Sequence, residues 1–517
     1  MSGKGSSELY DHLLHELGIQ SNILVSATYA GPTVLKPGNV FPALKAVVDE
    51  HPALWLVHVP EPSGKGGRHC LWDARVPNIR LGEHVSFVDE EPGGGDAEIA
   101  RTFEKEHNSW FLPSPENPLP RWRIIIVGGK RAIFVFHHAI GDGISGYTFH
   151  RSFLAALNSL SSNLSPDSEP FNADSPVLNP RIELPMGCVE QIDDRLRWRY
   201  AIWEFLFWLI VRFFVNQRYF FFSDASYPKK YPTPLNPLPI SKRTITSTRI
   251  LRIDKETMSK ALNACRRNKT SFTALLHTLI QVTLAADFYP KAVLGFSSQA
   301  VNIRPQLRTD PGIDVVMNAV GVYPRVQFLS SYRKAGMSRH NPDSENAKKF
   351  GVNEDMVWGL AKSYKAHMQD FVWKERSAVQ ESLLVTLLGE EIEGVTFYGL
   401  GLFQNNSFLI SNLGVFEPKA TKPQENVSRR NKATGLEEDE ETEEQKKNGG
   451  WEITDIAFSA ATVRASLGVA GIVFNVASLR GGDCVVCAGW EEGVLREEMV
   501  SGVLEGVGGR LRALVET

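Results

Sequence analysis

Apolar positions along the chain alternate between a period of two and a period near 3.6, and the switches between them predict interleaved strands and helices. In the first part, "LYDHLLHELG" reads as a short helix closed by glycine, "NILVSATYAG" as a strand, "FPALKAVVDEHPAL" as a helix and "LWLVHVP" as a strand. Next, "IARTFEKEHNSWFL" carries helical spacing, "RWRIIIVGGKRAIFVFHH" predicts two strands around a Gly-Gly turn, and "GYTFHRSFLAALNSL" predicts a helix after the following loop. A polar, proline-bearing stretch from Ser159 to Pro185 then has the composition of a linker.

Alternation resumes at Thr246. "STRILRIDKETMSKALNACRRNKTSFTALLHTLIQVTLAADF" predicts a strand and two helices, the second opening at Thr270 or Ser271 as N-cap. Further strands are expected at "AVLGFSSQAVNIRP", "NAVGVYPRVQF", "SFLISNLGVFEP" and "DCVVCAGW", with helices at "EDMVWGLAKSYKAHMQDFV" and "EEMVSGVLEGVGGRLRALV". Two polar, charge-blocked runs, near 330–349 and 419–450, read as disordered insertions between strands. The resulting division is a first α/β domain over 1–185, an apolar crossover segment with a linker over 186–245, and a second α/β domain over 246–517.

Length agrees with that division, because 517 residues exceed what a single core usually supports. Apolar residues at 43% and charged residues at 22% are ordinary globular usage, and a net charge of -3 argues against a nucleic-acid partner held through its phosphates. Five cysteines with no framework spacing fit a reducing compartment. Cys484 and Cys487 form a C-x-x-C, but on a strand they point to opposite faces, and no second pair completes a metal site. The amino-terminal stretch has no signal-like apolar core, so the protein is expected to face cytosol.

The most apolar stretch is "RLRWRYAIWEFLFWLIVRFFVNQRYFFF", Arg195 to Phe222. Arg197, Glu204, Arg212 and Asn216 recur at multiples of about four and give a helix one narrow polar stripe. A spanning helix would place Glu204 and Arg212 in hydrocarbon at about 2.5–3.5 kcal/mol for each charge near the centre. Lying in the interface, with Arg195, Arg197 and Arg199 at lipid headgroups, avoids that cost. A buried crossover helix is the second reading, and a true span in spite of that cost is the third.

Chemistry concentrates in "FVFHHAIGDGISG", Phe134 to Gly146. Successive side chains on a strand face opposite ways, so His137 and His138 do not enter one cavity together. Either the pair merely packs near a turn, or one histidine works while the other supports it. The glycines permit a tight turn and close backbone approach, and Asp142 is short enough to fix the loop. No G-x-S-x-G elbow supplies a serine nucleophile, and no neighbouring histidine or cysteine spacing suits a metal.

The string His137, His138, Ala139, Ile140, Gly141, Asp142, Gly143 resembles the H-H-x-x-x-D-G signature of the CoA-dependent acyltransferase superfamily. "ELYDHLLHELGIQSNILVSATY", "TSFTALLHTLIQVTLA", "AVNIRPQL", "NAVGVYPR", "SNLGVFEP" and "GWEEGVLREEMV" resemble the fungal alcohol O-acetyltransferases within it. The resemblance implies an α/β fold of two chloramphenicol-acetyltransferase-like domains with mixed sheets and an interdomain tunnel. It implies His138 as the general base of the catalytic motif, Asp142 as the motif's structural aspartate paired with Arg304, and His137 and Gly143 as supports. Relatives' other motifs, D-F-G-W-G and S-T-S, are absent, so their oxyanion and CoA contacts do not carry over. By residue type and strand-end position, Asn318, Ser411 and Asn412 are candidates for oxyanion or substrate contact.

The function so implied is acyl transfer, most simply from acetyl-CoA, to a hydrophobic alcohol, with acyl-CoA as co-substrate and no permanently bound cofactor or metal. N-acylation of an amine, a condensation-type reaction, and a lipid-associated protein that binds CoA without turnover are the alternatives. A monomer working at the cytosolic face of an endoplasmic-reticulum membrane or lipid droplet is the expected setting.

Overall fold

The computed structural model describes residues 2–3, 6–61, 70–89, 94–112, 118–163, 171–184, 187–214, 216–226, 237–336, 350–388, 407–418, 450–463 and 471–516. Two mixed sheets organise them. The first has five strands in the order Glu452–Ala460, Asn22–Ala30, Arg131–His137, Trp122–Val127, Val85–Val88, antiparallel except for the last pair. Its helices Pro37–Glu50 and Gly143–Asn163 cover one face, where Val25, Phe134, Phe136, Phe149 and Trp55 are buried together. The turn between Trp122–Val127 and Arg131–His137 is three residues long, and its Gly128 and Gly129 have φ of 55° and 64°, which only glycine adopts without strain.

The second sheet has six strands in the order Thr246–Ile253, Cys484–Glu491, Ile472–Leu479, Ser407–Phe416, Leu294–Asn302, Val320–Phe328. Ser407–Phe416 runs parallel to both of its neighbours, and the other pairs are antiparallel. Pro324 lies in the edge strand, where its missing N–H breaks no ladder beyond Leu294–Asn302. Helices Lys255–Arg267, Phe272–Thr283, Glu354–Gln369 and Glu497–Val515 cover one face. Ser271 caps the second of these by accepting from the Ala274 N–H at 3.3 Å.

Helix Gly95–His107 fills the space between the sheets. Ile99 and Phe103 pack with Leu24, Ile133 and Val135 of the first sheet and with Val485 and Cys487 of the second. Cys484 belongs to the opposite core, so the two cysteines do face away from each other, and burial pushes both thiols up to about 12.

Three features depart from the sequence reading. The strands Glu452–Ala460 and Ile472–Leu479 were not anticipated, and the first of them completes the edge of the first sheet from beyond residue 246. Within Ser159–Pro185, the preceding helix continues to Asn163, and Pro176–Leu178 pairs with Asn78–Arg80, so a stretch of linker composition contributes a strand. Ser330–Ala335 is a short helix where an unstructured insertion was expected; 337–349 and 419–449 lie outside the described residues.

The aromatic stretch forms helix Trp198–Phe214. No described helix is by itself long and apolar enough to cross a membrane. The helix is not a buried crossover either: Trp198, Ile202, Trp203, Phe205, Leu206 and Ile210 are exposed, Trp203 by 71%. Its start is tied to the body by the Arg197 N–H, which donates to Gln380 Oε1 at 2.7 Å, and by the Arg197 guanidinium on the Glu375 carbonyl. The side chains of Glu204 and Arg212 lie outside the described positions.

Candidate active site

Strand parity sorts the two histidines. His137 continues the face of Ile133 and Val135 and is buried, with its Nδ1 accepting from the Ala139 N–H at 3.0 Å. Its ring packs 4.5 Å from that of His15, with the rings of His12 and His58 at 6.2 and 6.1 Å. Burial, then the neighbouring His15, Arg121, His58 and His12, hold His137 well below the ordinary imidazole range, which favours its neutral form. His138 falls just past the strand's end, in the turn leading to helix Gly143–Asn163.

The His138 ring is 18% exposed. Its Nδ1 lies 3.4 Å from Oδ2 of Asp11, on helix Ser6–Glu16, and 3.3 Å from Nδ2 of Asn318. Asn318 Nδ2 donates to Asp11 Oδ2 at 2.7 Å and faces the His138 carbonyl at 3.3 Å. Nε2, across the ring, has no hydrogen-bond partner among the described residues. It is therefore the ring nitrogen left able to accept a proton.

Asp142 turns away from His138. Arg304, which opens a single 3-10 turn, donates from Nη1 to Asp142 Oδ2 at 2.7 Å and from Nη2 to Oδ1 at 3.0 Å. The Ala319 N–H at 3.0 Å and the Ser145 N–H at 3.1 Å occupy its remaining acceptor positions. Burial alone would raise the Asp142 carboxyl, but Arg304 and these donors outweigh it and hold it below the usual carboxylate range. Arg304 Nη2 also donates to the Met317 carbonyl at 2.8 Å, and Ser145 Oγ donates to the same carbonyl at 2.9 Å. The motif loop of the first half is thus fastened to 302–319 of the second.

Gly143 allows the next layer to close. A Cβ there would stand 2.4 Å from Leu413 Cδ2 and 3.0 Å from Phe458, so the strand bearing Ser411 and Asn412 and the crossing strand Glu452–Ala460 both press on the motif. The Asn412 side chain donates to Thr273 Oγ1 at 2.9 Å and accepts from the Gly414 N–H at 2.8 Å, pinning a bulge in Ser407–Phe416. Ser411 lies beside it, half-buried, in register with Asn475. Of the three expected oxyanion or substrate groups, the structure brings Asn318 to His138 and sets Ser411 and Asn412 on the strand facing Gly143. The described residues contain no cluster of His, Cys, Asp and Glu arranged for a metal ion.

Residues 97–309, which include His138, Asp142, Gly143 and Arg304, match the family model for alcohol acetyltransferases. Over that span the chain is similar to the alcohol acetyltransferases. It is also 23% identical over 526 residues to a probable alcohol acetyltransferase of Aspergillus fumigatus, covering 98% of each chain. Among solved structures it resembles a trichothecene 15-O-acetyltransferase of Fusarium sporotrichioides, with a TM-score of 0.66 at 11% identity over 99% of this chain and 94% of that one. A first condensation domain of the CDA synthetase aligns with a TM-score of 0.54 at 12% identity, covering 99% and 95%. This enzyme is an acyltransferase, and its two mixed sheets are the architecture those folds share.

Asp11 is the site residue that sequence reasoning missed. It lies outside the matched 97–309, on a helix whose Glu8, Asp11, His12 and His15 recur every three to four residues and are all buried. A titratable stripe on the inward face of a short helix was the available signal.

Proposed function

We propose that this acyltransferase moves an acyl group, acetyl from acetyl-CoA, directly to the hydroxyl of an apolar alcohol, with His138 Nε2 as general base. The observation that carries the reading is the division of labour at the motif: Asp142 is consumed by Arg304, while His138 keeps one ring nitrogen unpartnered. As the alcohol oxygen attacks the thioester carbon, Nε2 takes its proton; the tetrahedral intermediate then expels the CoA thiolate, which receives that proton from the imidazolium. No acyl-enzyme forms. Such a base contributes roughly a hundredfold to ten-thousandfold. The junction of the motif loop with 302–319 is where a tunnel would admit CoA and acceptor from opposite sides.

The relatives favour an alcohol over an amine, since the family and the trichothecene enzyme are both described by transfer to oxygen. The deciding assay incubates purified protein with acetyl-CoA and a panel of alcohols and amines and follows free thiol. A wild-type rate no faster than that of folded His138→Ala overturns the reading, and a preference for amines reassigns it to N-acylation.

The exposed helix Trp198–Phe214 supports a setting at the cytosolic surface of the endoplasmic reticulum or a lipid droplet, where apolar alcohols partition. Trp198 and Trp203 suit the interface, and exposed Arg195 and Arg199 suit anionic headgroups.

A further inference from the structure

The motif supplies its base with no carboxylate of its own, because both oxygens of Asp142 are taken by Arg304 and by backbone N–H groups. The carboxylate that His138 does face comes from another part of the chain. Asp11 sits on helix Ser6–Glu16, which packs on helix Ser377–Leu388. Its side chain is 10% exposed, and Asn318 fixes Oδ2 by a 2.7 Å bond. Asn318 also faces the His138 carbonyl, so one amide sets the carboxylate and the base relative to each other.

Building on the function proposed above, we infer that Asp11 is a positioning residue for His138, holding its proton on Nδ1 so that the lone pair stands on Nε2 toward the substrate. A neutral imidazole has one protonated nitrogen, and the hydrogen bond at one side decides which. A carboxylate beside Nδ1 selects the Nδ1–H form and stabilises the imidazolium once Nε2 has accepted a proton, as the buried aspartate does in serine-protease triads. The side-chain amide of Asn318 has two hydrogens; with one on Asp11 and the other on the His138 carbonyl, Nδ1, which lies 3.3 Å from that amide, is left to turn its hydrogen to Asp11 at 3.4 Å.

The surrounding ionisable groups do not replace Asp11. On its own helix, Glu8 is one turn earlier and Glu16 is engaged by Arg121 at 2.7 Å. His12 Nδ1 lies 3.4 Å from Arg121 Nη1, and His15 Nε2 is bonded to the Phe111 carbonyl at 2.9 Å. From the strands, His58 Nδ1 is bonded to Asp73 at 2.9 Å, and His137 favours its neutral form. From the second half, Arg304 faces Asp142.

The test compares full-length wild type with Asp11→Asn, Asp11→Ser and Asp11→Glu. Nitrogen-15 NMR of the His138 ring, assigned by difference with His138→Gln, reads which ring nitrogen holds the proton without requiring turnover. The Nδ1–H signature of wild type should be lost in whichever of the Asn and Ser variants keeps the wild-type melting profile, and should return in Asp11→Glu. With acetyl-CoA and the best acceptor, kcat should fall by roughly ten- to a hundredfold while KM for acetyl-CoA stays within about twofold. An unchanged ring signature with kcat near wild type overturns the role of Asp11. A changed signature in a protein that transfers no acyl group supports the pairing and overturns the acyltransferase chemistry instead.

Discussion

Arg304 holds both oxygens of Asp142, and each partner is almost wholly withdrawn from water. The pair joins the motif loop of one half to the 302–319 segment of the other. Asp142 is therefore a fastener whose loss is felt as lost structure.

Removing one member leaves the other charge buried and alone. We expect Asp142→Leu and Arg304→Met each to lower stability by about 3–5 kcal/mol, and the combined Asp142→Leu/Arg304→Met chain to lose clearly less than the sum of its single changes. Urea unfolding of the four proteins checks this. Strictly additive losses would show that the two groups act independently.

Gly143→Ala should cost about 1–3 kcal/mol and lower activity, because its Cβ would stand 2.4 Å from Leu413 Cδ2. The tip of Leu413 is the clashing atom, so adding Leu413→Ala should restore the activity lost to Gly143→Ala. If the double variant is no more active than Gly143→Ala alone, the crowding at Gly143 lies elsewhere.

Acid should destabilise the protein below pH 6.5. Burial lowers His15, His107 and His277 to about 3 and His84 and His150 to about 4, so each stays neutral in the fold while the unfolded chain takes up a proton. Their contribution is complete above pH 6.5 and is lost as pH falls from 6.5 through those lowered values, at about 1.4 kcal/mol per group per pH unit. Unfolding free energies at pH 7.5, 6.5 and 5.5 measure the slope. His150→Gln, which can still meet Tyr29 and the Val25 carbonyl, should flatten it by one proton. Equal stability at pH 7.5 and 5.5 would contradict the assignment.

Trp198→Ser combined with Trp203→Ser should release the protein from liposomes containing anionic lipid while leaving its melting curve in place, since both rings are exposed. Flotation reads the partition. A wild-type chain that stays at the bottom of the gradient removes the lipid-surface proposal.

Local chemistry was legible and long-range assembly was not. The turn at Gly128-Gly129, the Ser271 cap and the strand leading to His137 are set by residues adjacent in sequence, and each is where the pattern put it. "EITDIAFSA" and "IVFNVASL" are short apolar runs that periodicity alone does not assign to a sheet, and the helix Ser377–Leu388 is too uniformly apolar to show a face. At the site, the pairing of Asp142 with Arg304 was anticipated through resemblance. The approach of Asp11 and Asn318 to His138 joins three distant segments, which no spacing rule encodes.

The strand Glu452–Ala460 also sets a timetable. Asn22–Ala30 emerges from the ribosome early and one of its edges can be covered once Arg131–His137 has been made, but its other edge, at Ala27 opposite Ile456, has no partner until nearly the whole chain is made. Through most of synthesis an apolar strand keeps an open row of N–H and carbonyl groups, the condition under which nascent chains pair with one another. Cutting the chain at its apparent midpoint makes that interval permanent. A first half expressed alone should need a supplied peptide of the Glu452–Ala460 sequence to remain in solution.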